Sequence, residues 1–271
     1  MLITKTVDLI LEYIESKIER EIITIESLVV YSGYSRRYLQ VIFKRHVGIP
    51  VGIYIQLRRV TRSAAYLRLT HHKLSDIAGL LCYDSQQTFN REFKKHTGYT
   101  PKLFRDMNIW NFKKQTGFRS VMQHVSIPEL VELPEINITG ESFFYKINIP
   151  FIYGGNNKKW KYVQQRLRNE GSACLLLLNG INASGKSAVV DVFIVDDNGK
   201  ENANIQKYVY ASFFFQGRFE DYERYVYDIN VNMLPHHGLQ RLLVMKDIEI
   251  IQKKDANIYS FEYFIPVRKL C

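Results

Sequence analysis

The sequence predicts two unlike halves: an all-helical N-terminal domain carrying two helix-turn-helix units, then an α+β C-terminal domain. Three observations carry this. One short pattern occurs twice, 50 positions apart, within the first 105 residues. Positive charge is concentrated in the same stretch. After Trp110 the helical spacing of apolar residues gives way to β-branched and aromatic runs.

The first copy runs from Tyr34 to Gly48 and the second from Tyr83 to Gly98. At the repeat offset Ser35 meets Ser85, Leu39 meets Phe89, and Phe43-Lys44 meets Phe93-Lys94. His46 then meets His96, and Gly48 meets Gly98. A Ser N-cap, apolar residues at i+4 and i+8, and a terminal Gly describe a helix with one buried stripe. The opposite face carries Arg, Gln and Asn, side chains able to make paired hydrogen bonds to base edges. Residues 1–115 hold 19 Lys and Arg against 10 Asp and Glu, whereas residues 116–271 hold 18 against 17. The net charge of +10 is therefore almost wholly on the repeats, as expected of a domain that displaces counterions from phosphates.

The remaining composition narrows the class. A chain of 271 residues with 46% hydrophobic content can build about two cores. Cys82, Cys174 and Cys271 are widely spaced without a C-x-x-C, which supports neither a disulfide framework nor a zinc site. Cys82 stands where the first copy has Gly33 and reads as a small packed residue. The first residues lack signal-peptide features, and the apolar runs are far short of a membrane span. The expectation is a reduced, cytoplasmic protein with no cofactor, no metal and no membrane contact.

Along the chain, Val7, Ile10, Leu11, Ile14 and Ile18 make a helical stripe, with Asp8, Glu12, Glu15 and Glu19 placed outside. Thr24 caps a helix reaching Val30, and Ser32-Gly33-Tyr34 turns into the first repeat. Pro50 opens a long helix over about 51–69 that carries Arg58, Arg59, Arg62 and Arg68. At ~1.5 Å per residue this strut spans roughly 27 Å, enough to set two recognition helices ~34 Å apart, one duplex turn. Residues 74–81 support the second copy, and a short helix starts at Pro101. Residues 111–134 read as a linker or docking segment. Strands are expected at 136–149, 173–179, 188–196, 207–216, 244–252 and 257–266, and helices at 158–168 and 219–233. Asp196-Asp197-Asn198-Gly199 reads as a hairpin turn.

Gly180-Ile181-Asn182-Ala183-Ser184-Gly185-Lys186-Ser187 matches the phosphate-loop pattern letter for letter. That loop works only when its Lys and Ser open a helix whose N–H groups hold the phosphates. Here Ala188 to Val195 is β-branched and reads as a strand, so the match is expected to be a turn between antiparallel strands. An NTPase is the remote alternative. His71-His72 and His236-His237 read as surface loops, and no nucleophile–base pair is visible.

Ser85, Phe89, Arg91, Phe93, Lys94, Lys95, Gly98 and Pro101 fall at the spacing of one bacterial signature, and the sequence resembles the AraC/XylS family of transcription regulators. Ser35-Arg36-Arg37-Tyr38-Leu39-Gln40 is similar to regulators of fimbrial and capsule-like adhesin operons in that family. The resemblance implies base reading by Arg37, Gln40 and Val41 in the first copy and by Gln86, Gln87, Asn90 and Arg91 in the second. Ser35, Arg36, Lys44, Arg45, Arg58, Arg59, Arg62, Ser85, Thr88, Lys94 and Lys95 are assigned to the DNA backbone. Val41 and Arg37 replace an Arg and a Trp of the Rob-like members, so Arg37 suits a guanine and Val41 a thymine methyl.

The second half, through Tyr208 to Gln216 and Phe261 to Arg268, resembles a GyrI-like antiparallel sheet with helices. That implies domains at 1–110 and 135–271, the second holding a small amphipathic effector. Glu262 is its candidate anchor, with Trp160, Tyr210, Phe213, Phe215 and Tyr263 as walls. The function implied is a non-enzymatic activator that binds promoter DNA and recruits RNA polymerase, for an adhesin operon. A Rob-like stress and multidrug-resistance regulator is the alternative.

Overall fold

A computed structural model describes residues 2–107, 109–110, 126–147, 157–169 and 174–269. These divide into two compact units, one helical and one built on a sheet.

The helical unit runs α1 (Leu2–Lys17), α2 (Ile25–Ser32), α3 (Arg36–Val47), α4 (Val51–Leu69), α5 (Leu74–Leu80), α6 (Gln86–Thr97) and α7 (Pro101–Asp106). Each boundary has a local cause. Thr24 and Ser27 cap one another reciprocally at the start of α2. Ser35 accepts from the Tyr38 N–H, and Ser85 from the Thr88 N–H at 3.1 Å. Gly48 and Gly98 end their helices at φ of +84° and +85°, the left-handed region open to glycine. Cys82 occupies that region too, at φ +55°, where the first copy uses Gly33. A β-carbon in this conformation is strained, and Cys82, half-buried, carries one where glycine would have none.

Two cores form around the repeats. Ile10, Leu11, Ile14 and Ile18 of α1 pack with Leu39, Ile42 and Phe43 of α3 and Tyr54 of α4. Phe89, Phe93 and Phe104 build the second core, ring to ring at 5.7 and 5.3 Å.

The second unit contains β1 (Ile109–Trp110), β2 (Glu129–Leu133), β3 (Ile136–Ile147), α8 (Asn157–Asn169), β4 (Cys174–Ser184), β5 (Ser187–Val195), β6 (Glu201–Ile205) and β7 (Tyr208–Gly217). It continues through α9 (Phe219–Asp228), a π-helical turn (Ile229–Met233), α10 (Leu234–His236), β8 (Leu239–Leu242), β9 (Asp247–Lys253) and β10 (Tyr259–Lys269). All pairings are antiparallel. The order is β2-β7-β10-β9-β4-β5-β3-β6, with β8 beside the end of β10 and β1 beside β8. Strand alternation gives the sheet two apolar faces. Leu175, Leu177, Val192 and Phe261 pack with Trp160 and Val163 of α8 and Tyr222 of α9. Leu178, Phe193, Tyr210 and Ile248 lie on the other face.

Two expectations are corrected here. Within the segment read as a linker or docking segment, 129–133 is β2, which docks on β7 and is no linker; 111–125 lies outside the described residues. The Asp196–Gly199 turn does not close a hairpin, because β5 and β6 both pair with β3 from opposite sides. The turn instead passes over β3 where two glycines meet. A β-carbon on Gly199 would lie 2.2 Å from the Gly140 Cα.

Candidate nucleic-acid interface

Amphipathic geometry places the base-reading candidates outside. On α3 the buried residues are Leu39, Ile42, Phe43 and Val47, so Arg37, Gln40, Val41 and Lys44 fall on the solvent face. Val41 is 51% exposed, apolar among cations. On α6, Phe89 and Phe93 are buried, and Gln86, Gln87, Arg91, Lys94 and Lys95 are exposed. Asn90 is half-buried, with its Oδ1 turned inward and lacking a partner among the described residues. Arg91, Lys95 and the His96 ring lie around Glu92 at 3.6–3.7 Å. Arg36 reaches Glu26 at 3.2 Å, and Arg45 is exposed. The hydroxyls of Ser85 and Thr88 bond to each other at 3.1 Å.

The strut arginines are different. Arg58 is fully buried and makes a bidentate pair with Glu15, Nε to Oε1 and Nη2 to Oε2, both at 2.7 Å. Arg62 donates to the same Oε2 at 3.0 Å and approaches Glu19 at 3.6 Å. Tyr66 donates to Glu19 at 3.2 Å. Both arginines therefore tie α4 to α1 and do not face DNA, contrary to their assignment from sequence. The cause is the i,i+4 spacing on each helix, which aligns Glu15/Glu19 with Arg58/Arg62. Burial works to raise the Glu15 carboxyl, yet the Arg58 and Arg62 guanidiniums outweigh it and hold it below its usual range. Glu19 is pushed up by burial, which together with the neighbouring Glu15 charge outweighs Arg62, Tyr66 and Arg58. Arg59 buries its Nε and Nη2 without an acceptor among the described residues. It lies near the Tyr83 hydroxyl, which burial pushes up to about 12. Arg68 donates to the Phe104 and Arg105 carbonyls and so caps α7.

In the second unit the six effector candidates do not converge. Glu262 on β10 is half-buried between Phe214 of β7 and Ile250 of β9. Tyr210 lies on that same face, its hydroxyl on the Gln206 carbonyl. Strand alternation sends Phe213, Phe215 and Tyr263 to the helix-covered face, where Trp160 stacks on Phe219 at 4.1 Å. Trp160, Phe213 and Tyr263 are buried on that face, and Phe215 is partly buried against it.

The buried polar groups were not anticipated from sequence. Glu249 is 4% exposed, bonded to the Lys159 ammonium of α8 and to the Tyr222 hydroxyl at 3.1 Å. Asp247 is 2% exposed, bonded to Arg241 and to the Tyr263 hydroxyl at 2.5 Å. The available signal was Asp247-Ile248-Glu249-Ile250: alternation at period two puts both carboxylates on one face of an otherwise apolar strand.

The phosphate-loop match is a tight hairpin. Ser184 pairs with Ser187, Gly185 has φ +58°, and β5 follows directly. With a strand in place of a helix, no ring of N-terminal amides faces a phosphate. Among the described residues no helix is long and apolar enough to cross a membrane, and no group of three or more His, Cys, Asp or Glu could hold a metal ion.

Comparison with known proteins follows the same division. A helix-turn-helix domain family model matches residues 28–107. The F1 operon positive regulatory protein of Yersinia pestis is 36% identical over 272 residues, 98% of this chain and 89% of that protein. Transcriptional regulator Rob of Salmonella typhimurium is 42% identical over 89 residues, 33% of this chain and 31% of its own. The HTH-type transcriptional activator AarP of Providencia stuartii is 36% identical over 96 residues, 35% of this chain and 70% of its own.

Proposed function

The chain belongs to the AraC/XylS family of DNA-binding transcription regulators, and from that premise we propose that it activates a fimbrial or capsule-like adhesin operon. In this reading both helix-turn-helix units bind promoter DNA in the cytoplasm, bound protein recruits RNA polymerase, and the second domain senses a small effector. The observation that carries the DNA reading is the pair of matched helices. α3 and α6 have the same Ser and Gly caps, bury the matched pairs Leu39/Phe89 and Phe43/Phe93, and each presents Arg and Gln outward. The roughly 28 Å of α4 between them suits two successive major grooves. The near full-length similarity to the F1 operon regulator supports the choice of operon.

Footprinting of an adhesin-operon promoter with purified protein tests the reading. Protection of two half-sites about one duplex turn apart is expected. Transcription in vitro from that promoter should rise when the protein is added with RNA polymerase. Absence of protection on every fragment of the promoter sinks the proposal.

A further inference from the structure

We propose that the helix-covered face of the second unit holds a binding site for a small uncharged ligand with an amide-like donor–acceptor edge, formed by Asn179, Asp247 and Arg241. It rests on the effector-sensing reading above and names a ligand class for it. Asn179 on β4 and Asp247 on β9 are register partners, so their β-carbons lie about 5 Å apart. Asn179 has the strand parity of Leu175 and Leu177, which face α8 and α9. Both side-chain amide atoms of Asn179, Oδ1 of Asp247 and Nε of Arg241 are buried with no hydrogen-bond partner among the described residues. Roughly nine in ten buried polar groups in native proteins are satisfied, so orphans on three neighbouring residues mark a place where a partner belongs.

The chemistry of that partner follows from what is already paired. The Lys159 ammonium and the Tyr222 hydroxyl occupy the two oxygens of Glu249. Arg241 and Tyr263 share Oδ2 of Asp247. The four charges cancel in pairs, leaving no net charge to draw an ion. A cationic ligand at Glu249 would have to displace an ammonium tethered to the same chain, present at high effective concentration. What remains unpaired is two donors and two acceptors: the Asn179 NH2, the Arg241 Nε–H, the Asn179 carbonyl and one Asp247 oxygen. A neutral amide, lactam or ureide edge complements that set. Asn230 in the π-turn accepts from Arg241 Nη1 at 2.9 Å and donates to the Val226 carbonyl at 2.8 Å. It is a positioning residue, holding Nη1 of the guanidinium while Nη2 bonds to Asp247. Such widened turns recur at functional sites.

The test uses the full-length chain with 15N-labelled Asn. The Asn179 side-chain amide, assigned by its loss in Asn179→Leu, is followed by NMR during addition of hydantoin, a neutral ureide. Benzyltrimethylammonium is added in a parallel series. The proposal expects a saturable Asn179 shift with hydantoin, and calorimetry, which needs no Asn179 signal, should show at least tenfold weaker binding in Asn179→Leu. That variant replaces orphaned polar atoms by an apolar side chain and should fold, as thermal melting checks. Asn230→Ala is the second variant and should weaken hydantoin about tenfold. A shift with the cation alone overturns this site but leaves effector sensing standing. No saturable shift with either probe, or long-lived water at Asn179 that hydantoin fails to displace, overturns it outright. DNA binding is read separately in each variant.

Discussion

Replacing Glu15 by Leu and Arg58 by Met, singly and together, separates a structural arginine from a DNA contact. Arg58 is fully buried, its two bonds to Glu15 are each 2.7 Å, and Arg62 adds a third at 3.0 Å. Glu15→Leu alone leaves a buried guanidinium without its carboxylate, at a cost of about 3–5 kcal/mol. Against a typical domain stability of about 5–15 kcal/mol that loss is severe. In the double variant an apolar pair replaces an ion pair, a change often neutral or stabilising by about 1–4 kcal/mol. Arg62 keeps Glu19 within 3.6 Å. The double variant should therefore recover at least about 3 kcal/mol relative to Glu15→Leu. Urea unfolding followed by far-UV circular dichroism measures this. The functional readout is the slope of log K against log salt, about −0.9 for each phosphate neutralised. It should be the same in the double variant and the parent. A slope shallower by about 0.9, or a Glu15→Leu protein within about 1 kcal/mol of the parent, refutes the assignment.

Arg91→Ala should cost about 1–3 kcal/mol on the specific site and little on random DNA, whereas Lys94→Ala should weaken both equally and reduce the salt slope by about 0.9. Gel-shift titrations on the two DNAs at several salt concentrations separate these outcomes. Cys82→Gly should stabilise the helical unit by about 0.5–1 kcal/mol, since glycine accepts φ +55° without strain, and a lower urea midpoint would contradict it. Glu15 and Glu19 should respond to pH in opposite senses. The Glu15 contribution is fully present above its unfolded value near 4.5 and disappears as pH falls through its lower folded value. Glu19, raised on folding, destabilises at neutral pH, and the penalty is relieved as pH falls through its raised value toward 4.5. Urea midpoints from neutral to acid pH should thus be highest for Glu19→Gln at neutral pH. For Glu15→Gln they should be flat below 4.5, where the parent falls.

Much of the helical unit was legible because its signals are local. A helix from 51 to 69, caps at Thr24, Ser35 and Ser85, and glycine ends at 48 and 98 each depend on a few neighbouring residues. Gln40 and Gln87 are exposed as the amphipathic pattern requires. The same pattern misplaced Glu15 and Glu19, since a charge at the border of an apolar stripe can turn inward when another helix supplies its partner. Arg58 and Arg62 were misread for the same reason: exposure cannot be inferred for one partner without the other.

In the sheet, β-branched runs located β3, β4, β5, β7, β9 and β10, while the short β2, β6 and β8 lack an apolar run that would mark them. Periodicity also recognised the phosphate-loop match as a turn, because the residues after Lys186 favour a strand on their own.

The amino-acid order alone determined the duplicated recognition helices, their caps, and the strand that disqualifies the phosphate loop, because each rests on contacts within one or two turns of chain. Only the folded chain decided which charges face solvent, that β3 separates β5 from β6, and that Glu249 and Asp247 are enclosed with Lys159 and Arg241. Those outcomes depend on residues 6 to 90 positions apart, and the energy of burying a charge is not defined until its partner arrives.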